Sequence, residues 1–194
     1  MTAKKITKKS KKTAAKKAAL KPKTAVKTAV KKTAAKKIST KSLWRVGKST
    51  VHGRGIFPTA DIARGERIIE YKGERISNTE ADRRGDDAAG DAHHTFLFAI
   101  SEKVVLDASR FGNEARFINH CCSPNCEAEV KRGRVYIYAK RKIPANAELF
   151  YDYSYVTDDS YSDAELRRLY PCRCGSPKCR KTIAAVGKAR QQSW

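Results

Sequence analysis

A mainly β domain behind a disordered, lysine-rich tail is the fold class this sequence predicts, and three observations predict it. Residues 1–42 carry 16 lysines and no acid, against 42 basic and 20 acidic residues in the whole chain. From Leu43 onward the apolar runs shorten to strand length and are broken by glycines and polar turns, with little that repeats at helical spacing. Finally, the residues that carry chemistry crowd into three short segments, 116–126, 148–153 and 172–179, separated by irregular connections.

The tail repeats Lys-Lys-Thr-Ala-Ala-Lys-Lys at 11–17 and at 31–37 and contains no aromatic ring. So little apolar surface does not offset the entropy of ordering, and the segment is expected to be disordered when free. It takes 16 of the net +22, which leaves +6 for the rest. Its composition resembles the tails of linker histones and of bacterial histone-like proteins. A block this one-sided points to a polyanion, with each neutralised phosphate releasing counterions and with little sequence preference. No apolar run approaches the roughly 20 residues that span a bilayer. The first 42 residues also lack the apolar core of a secretory signal. A soluble, intracellular protein with no membrane partner is therefore expected, and a monomer.

Leu43-Trp44-Arg45-Val46 opens a strand, and Gly53-Arg54-Gly55-Ile56-Phe57-Pro58 follows as a glycine-punctuated turn where backbone can approach a ligand closely. Arg67-Ile68-Ile69-Glu70-Tyr71 reads as a strand that Gly73 ends. Residues 78–84 suit a short helix with Asn78 as N-cap. Residues 85–91 read as a mobile loop, and adjacent His93 and His94 point apart and make a poor metal pair. Residues 95–100 and 103–106 form a tight meander. Residues 127–131 and 134–140 flank Arg132-Gly133 as a hairpin, with Val135, Ile137 and Ala139 on its core face. Residues 163–169 are a helical turn with Asp163 near its start.

Arg116-Phe117-Ile118-Asn119-His120-Cys121-Cys122-Ser123-Pro124-Asn125-Cys126 places two amides, an imidazole and three thiols around a Ser-Pro turn. Glu148-Leu149-Phe150-Tyr151-Asp152-Tyr153 adds two phenols at i and i+2. Cys172, Cys174 and Cys179 supply three more thiols, one short of a tetrahedral zinc site. All six cysteines lie in these clusters, and without a secretory signal such spacing favours metal over disulfides.

In this order and at these separations, Gly53-Arg54-Gly55-Ile56-Phe57 and the three clusters resemble a SET-domain protein-lysine methyltransferase with a post-SET zinc segment. The resemblance covers about residues 43–185. It implies a SET-domain fold, small curved β-sheets around a pseudoknot in which the segment after Phe150 passes through a loop near Asn119-His120. The implied division is a tail over 1–42, a catalytic domain over 43–160 and a post-SET zinc segment with a C-terminal tail over 161–194. It further implies S-adenosylmethionine held by Gly53, Arg54, Gly55, Ile56, Asn119 and His120, with the substrate lysine entering from the opposite face. Tyr153 matches the catalytic tyrosine, and Tyr151 the position that limits how many methyl groups are added. Cys122 would complete a structural zinc site with Cys172, Cys174 and Cys179. Arg116 and Asn125 are as readily structural. Two departures stand out: Cys121 replaces a common serine and competes as ligand or oxidation target, and Phe96 replaces a common active-site tyrosine.

The chemistry has its own logic. A lysine amine is useless as a nucleophile while protonated, with a reference pKa of about 10.4. A tight apolar channel disfavours the charged form, and a neighbouring sulfonium pushes the same way. A tyrosine hydroxyl can then aim the amine. The expected function is methylation of lysines in histone or histone-like proteins, mainly monomethylation, at chromatin or in the nucleus, or in a bacterial cytoplasm or nucleoid, or as a secreted effector. The tail's own lysines are candidate substrates. The rival reading is a histone-like, DNA-compacting protein whose SET-like fold only binds.

Overall fold

The structure is a computed structural model that describes residues 43–87, 96–157 and 160–187. The expectations for residues 1–42 and for His93-His94 lie outside the described residues. Strands β1 (Trp44–Lys48) and β2 (Arg54–Pro58) form an antiparallel hairpin with Val46 opposite Ile56. The expected glycine turn over 53–58 is thus largely strand. The reversal is made earlier, where the Ser49 hydroxyl accepts from the Val51 and His52 amides and the Ser49 amide donates to the Gly53 carbonyl.

Strand β3 (Arg67–Tyr71) follows, then β4 (Glu74–Ile76) and helix α1 (Asn78–Asp87). The helix starts one residue earlier than a cap at Asn78 allows. The Ser77 hydroxyl takes the Glu80 amide at 3.2 Å, the N-cap bond, while Asn78 Nδ2 donates to the Glu102 carbonyl at 2.6 Å. Residues 85–87, expected in a loop, continue the helix. Arg84 ties it to the sheet by bridging Glu80, Glu74 on β4 and buried Asp107.

Strands β5 (Leu97–Ser101) and β6 (Val104–Asp107) form the meander read from the sequence, and β6 pairs on its other side with β4. A 3-10 turn (Glu114–Phe117) leads to the two-residue strand β7 (Asn119–His120). Strands β8 (Cys126–Lys131) and β9 (Arg134–Ala139) make the expected hairpin. Its turn residues Arg132 and Gly133 have φ of 52° and 71°, the left-handed pair of a type I′ turn. Strand β9 sits between β3 and β8, burying Val135, Ile137 and Ala139 while Tyr136 and Tyr138 face outward. These side chains, with Ile56, Ile118, Ile143 and Leu149, form the core.

The last strand, β10 (Phe150–Tyr151), returns to lie parallel to β7, with Phe150 opposite Asn119 and Tyr151 opposite His120. Helix α2 (Asp163–Leu169) then starts from a capping box in which Ser162 and Glu165 bond each other's backbone amides. It buries Leu166, whose carbonyl accepts from the Thr182 hydroxyl. Small antiparallel and parallel sheets with little helix make the fold mainly β, as the sequence indicates. No described helix is long and apolar enough to cross a membrane.

Candidate active site

The β7–β10 pair is where the three sequence clusters begin to converge. Asn125 closes the Ser-Pro turn after β7 onto the approach to β10, donating to the Glu148 carbonyl and accepting from the Phe150 amide, both at 2.8 Å. The Cys121 amide donates to the Tyr151 carbonyl at 3.2 Å. Asn125 is thereby spent on scaffolding, as is Arg116, which donates to the Ala108 carbonyl and stacks over Phe96 and Phe117.

Tyr151 and Tyr153 come together, with ring centroids 4.9 Å apart. Burial pushes both phenols well above their ordinary pKa, so both are neutral hydroxyls. The Tyr153 hydroxyl donates to the Ile118 carbonyl at 3.0 Å, which fixes the ring and leaves the phenol oxygen's lone pairs able to accept. A third phenol, Tyr71 at the end of β3, was read from the sequence only as part of a strand. It donates to the Phe96 carbonyl at 3.0 Å and packs on Phe98, which in turn packs on Tyr151. Phe96 itself turns its ring edge-on to Phe117. The apolar, aromatic surround with hydroxyl groups set into it is the environment in which a lysine amine gives up its proton.

Four of the residues expected to hold a cofactor, Gly53, Arg54, Gly55 and Ile56, lie on or beside β2, which meets a fifth, Asn119. Its Nδ2 donates to the His52 carbonyl at 3.0 Å, the Arg54 carbonyl at 2.8 Å and Glu148 Oε1 at 3.1 Å, so the amide pins β2 to β7. Its Oδ1 is the end able to accept from an ammonium. The carbonyls of Gly53 and Ile56 already accept from the Ser49 and Leu149 amides, and the Arg54 guanidinium lies over Phe117 at 4.1 Å. Gly55 is needed for space: a Cβ there would lie 2.3 Å from Glu148 Oε1. Glu148, which the sequence reading did not single out, is therefore the acid at the centre of this face. Its only advance sign was its place in the tyrosine segment.

His120, also expected to hold the cofactor, spends both ring nitrogens within the protein. Its ring is 4% exposed, and Nδ1 accepts from the Tyr153 amide at 3.1 Å. Nε2 must then carry the hydrogen, and it lies 3.3 Å from Cys122 Sγ. Burial lowers its pKa to about 4, with Asp152 pulling the other way and Arg180 reinforcing the drop. The imidazole is neutral at pH 7, and the 3.5 Å approach to Asp152 is not an ion pair there. His120 thus links the tyrosine strand to the thiols.

The sulfurs of Cys122, Cys172, Cys174 and Cys179 lie within 4.8 Å of one another. The Cys122 sulfur is 3.7 Å from that of Cys172 and 4.0 Å from that of Cys179, too far for disulfides. A tetrahedron with metal–sulfur bonds of about 2.3 Å has edges of about 3.8 Å, so the spacing fits zinc. Burial pushes Cys122 up to about 11, whereas Cys174 is lowered to about 6. For Cys174 burial opposes the thiolate, but amide donors at Cys122 and Ser176 outweigh it. Cys121 is not one of the four but borders them, taking the Ser123 amide and interacting with Cys174, and burial pushes core Cys126 up to about 12. Beside the cluster, Arg180 grips Asp152 through two 2.6 Å bonds. The bridge between Tyr155 and Ala184 ties the same two segments. Neither Asp152 nor Arg180 was flagged by sequence, since 28 residues separate them.

A family model described as the SET domain matches residues 53–154, more than half of the chain. The chain belongs to the SET-domain family. The match spans Gly53, Asn119, His120 and both tyrosines, and it stops before Cys172. Among curated relatives, the histone-lysine N-methyltransferase trithorax of Drosophila melanogaster is 41% identical over 142 residues, covering 71% of this chain and 4% of that protein. The H3 lysine-4 specific histone-lysine N-methyltransferase of Saccharomyces cerevisiae is 41% identical over 138 residues, covering 69% and 12%. Histone-lysine N-methyltransferase SETD1A of Homo sapiens is 35% identical over 148 residues, covering 74% and 8%. This chain therefore spans only a small part of the length of the relatives it matches.

Proposed function

We propose that this SET domain methylates lysine side chains of basic proteins, a histone or histone-like tail being the substrate class, with S-adenosylmethionine as donor. The observation that carries the reading is the pair of buried, neutral phenols, Tyr151 and Tyr153, joined through β7 to the Asn119–Glu148 face. When bound, S-adenosylmethionine supplies an electrophilic methyl group on a sulfonium, and leaves as a neutral thioether.

The residues do the rest by binding, aiming and drying. The aromatic walls built by Tyr71, Phe98 and Tyr151 disfavour an ammonium, so the lysine enters the reaction as the amine after losing its proton to water. Because the Tyr153 hydroxyl spends its hydrogen on Ile118, its oxygen accepts an N–H of the amine and leaves the nitrogen lone pair aimed for in-line attack. The nitrogen–carbon bond forms as the sulfur–carbon bond breaks, with no covalent enzyme intermediate. Neutral Tyr153 is an orienting group rather than a base. Asn119 Oδ1 and Glu148 suit the ammonium of the donor's methionine moiety, with the backbone of residues 53–56 alongside. His120 contributes by positioning Tyr153. The Tyr151 hydroxyl takes up the room in which a methylated amine would turn for a second transfer, so monomethyl-lysine is the main product. Zinc bound by Cys122, Cys172, Cys174 and Cys179 acts as a clamp on the C-terminal segment. Residues 1–42 bring a monomeric enzyme to nucleic acid, and so to chromatin or a nucleoid.

The test is incubation of the intact protein with labelled donor and a panel of lysine-rich proteins, beside Tyr153→Phe, with products mapped by mass spectrometry. Label on lysine that the variant loses supports the reading. Equal labelling by both proteins, or none, overturns it, and dominant trimethyl-lysine removes the role given to Tyr151.

A further inference from the structure

Phe111 is an anomaly that the cleft does not use. It is 85% exposed and holds φ of 54°, a left-handed backbone unfavourable to a non-glycine residue. Its ring is left largely in water. The turn is nonetheless held firmly. Asn113 accepts from the Lys72 amide at 3.2 Å and donates to the Glu70 carbonyl at 2.7 Å, and the Glu74 amide donates to the Arg110 carbonyl at 3.0 Å. The backbone that presents the ring is thus held in place.

Phe111 borders a groove of about 410 Å³ between the β3–β4 connection and the β8–β9 turn. Lys72, Arg75 and Arg134 line it, all exposed, and Gly73, where a Cβ would meet the Asp107 backbone at 2.7 Å, lets the chain pass closely beneath it. Arg75 is held in place by a bond to the Gly133 carbonyl. The acid in the lining is Glu70, 3.9 Å from Arg134. Exposed Arg110 and Arg132 adjoin the lining residues in sequence.

We propose that this groove is a second binding surface, for single-stranded nucleic acid, in which an unpaired base stacks on Phe111 and the flanking phosphates meet Lys72, Arg75 and Arg134. Both halves of the groove are used by that ligand. An acidic peptide satisfies the cations but offers no planar face to the ring, and duplex DNA satisfies the cations while keeping its bases stacked away. Aromatic platforms beside a cationic track are the general solution for single strands. The inference does not depend on the methyl-transfer reading.

Binding of the intact protein to a fluorescent oligothymidine and to a duplex of equal length, at physiological salt, tests it. Phe111→Ala should weaken oligothymidine binding about tenfold or more while leaving duplex binding and methyl transfer to a short peptide unchanged. Phe111→Leu, which keeps the bulk without the π face, should behave likewise and guards against a folding defect. Arg75→Glu with Arg134→Glu should weaken both nucleic acids and flatten the salt dependence. Oligothymidine binding by both Phe111 variants equal to that of the unaltered protein overturns the proposal. So does an oligoglutamate peptide whose binding depends on Phe111, which would point to a protein partner instead.

Discussion

Residues 118–151 and residues 170–184 meet at Cys122 but are held by different physics. The first are fixed by strand pairing, by Asn125 and Asn119 bonding backbone, and by side chains that are almost fully buried. The second lean on a few isolated bridges, the Arg180–Asp152 grip and the thiol group. The first region is thus a wall set by the fold and the second a wall that depends on a ligand set, so the two can be damaged separately.

The largest expected effect tests the fixed wall. Tyr153→Phe should lower kcat about 10²-fold, with the melting temperature little changed, because only the bond to Ile118 and the aim of the amine are lost. A fall in both together would mean that the phenol is chiefly structural. Next comes the dependent wall. Chelation should open residues 170–184 to amide exchange, seen by mass spectrometry, while residues 118–151 stay protected; uniform exposure would erase the distinction between the two regions.

Gly55→Ala sharpens the comparison inside the fixed wall. Its Cβ displaces Glu148 from Asn119 and should weaken donor binding several-fold, and Glu148→Ala added to it should restore the melting temperature. Arg180→Ala removes a half-buried bidentate partner of Asp152 and should cost about 1–2 kcal/mol in a denaturant melt, between the values for exposed and buried pairs.

The smallest effect is acid titration. Burial alone would raise the Asp107 pKa, but Ser109 and Arg84 hold it below the usual range. Its contribution is therefore present above pH 4 and is lost as pH falls through the lowered value. Asp107→Asn should flatten the acid limb of the stability curve below pH 4. Any zinc held by the thiols should be released, by their protonation, at higher pH.

How much could be read in advance follows the range of the forces involved. The β8–β9 hairpin was legible because Val135, Ile137 and Ala139 alternate with tyrosines around Arg132-Gly133, which is local information. The fold class and the meeting of Tyr151 and Tyr153 with the Asn119 strand were legible through motif order. Strand β2 was misread because glycine argues for a turn until its partner strand is known. The α1 cap was misplaced because Ser77 and Asn78 are both good caps, and Asn78 is drawn off by Glu102. Tyr71, Glu148 and the Arg180–Asp152 pair were missed because their partners are set by tertiary packing, which no local pattern announces.

The central proposal is a division of labour: the phenols aim the amine, the Asn119–Glu148 face binds the donor, and the thiol group clamps the C-terminal segment so that the donor is retained. Steady-state kinetics with donor affinity measured by calorimetry, on Tyr153→Phe and Cys174→Ser side by side, test it most directly. The account predicts that Tyr153→Phe loses kcat and keeps donor affinity, while Cys174→Ser loses donor affinity. Loss of donor binding in Tyr153→Phe, or unchanged binding in Cys174→Ser, would contradict it.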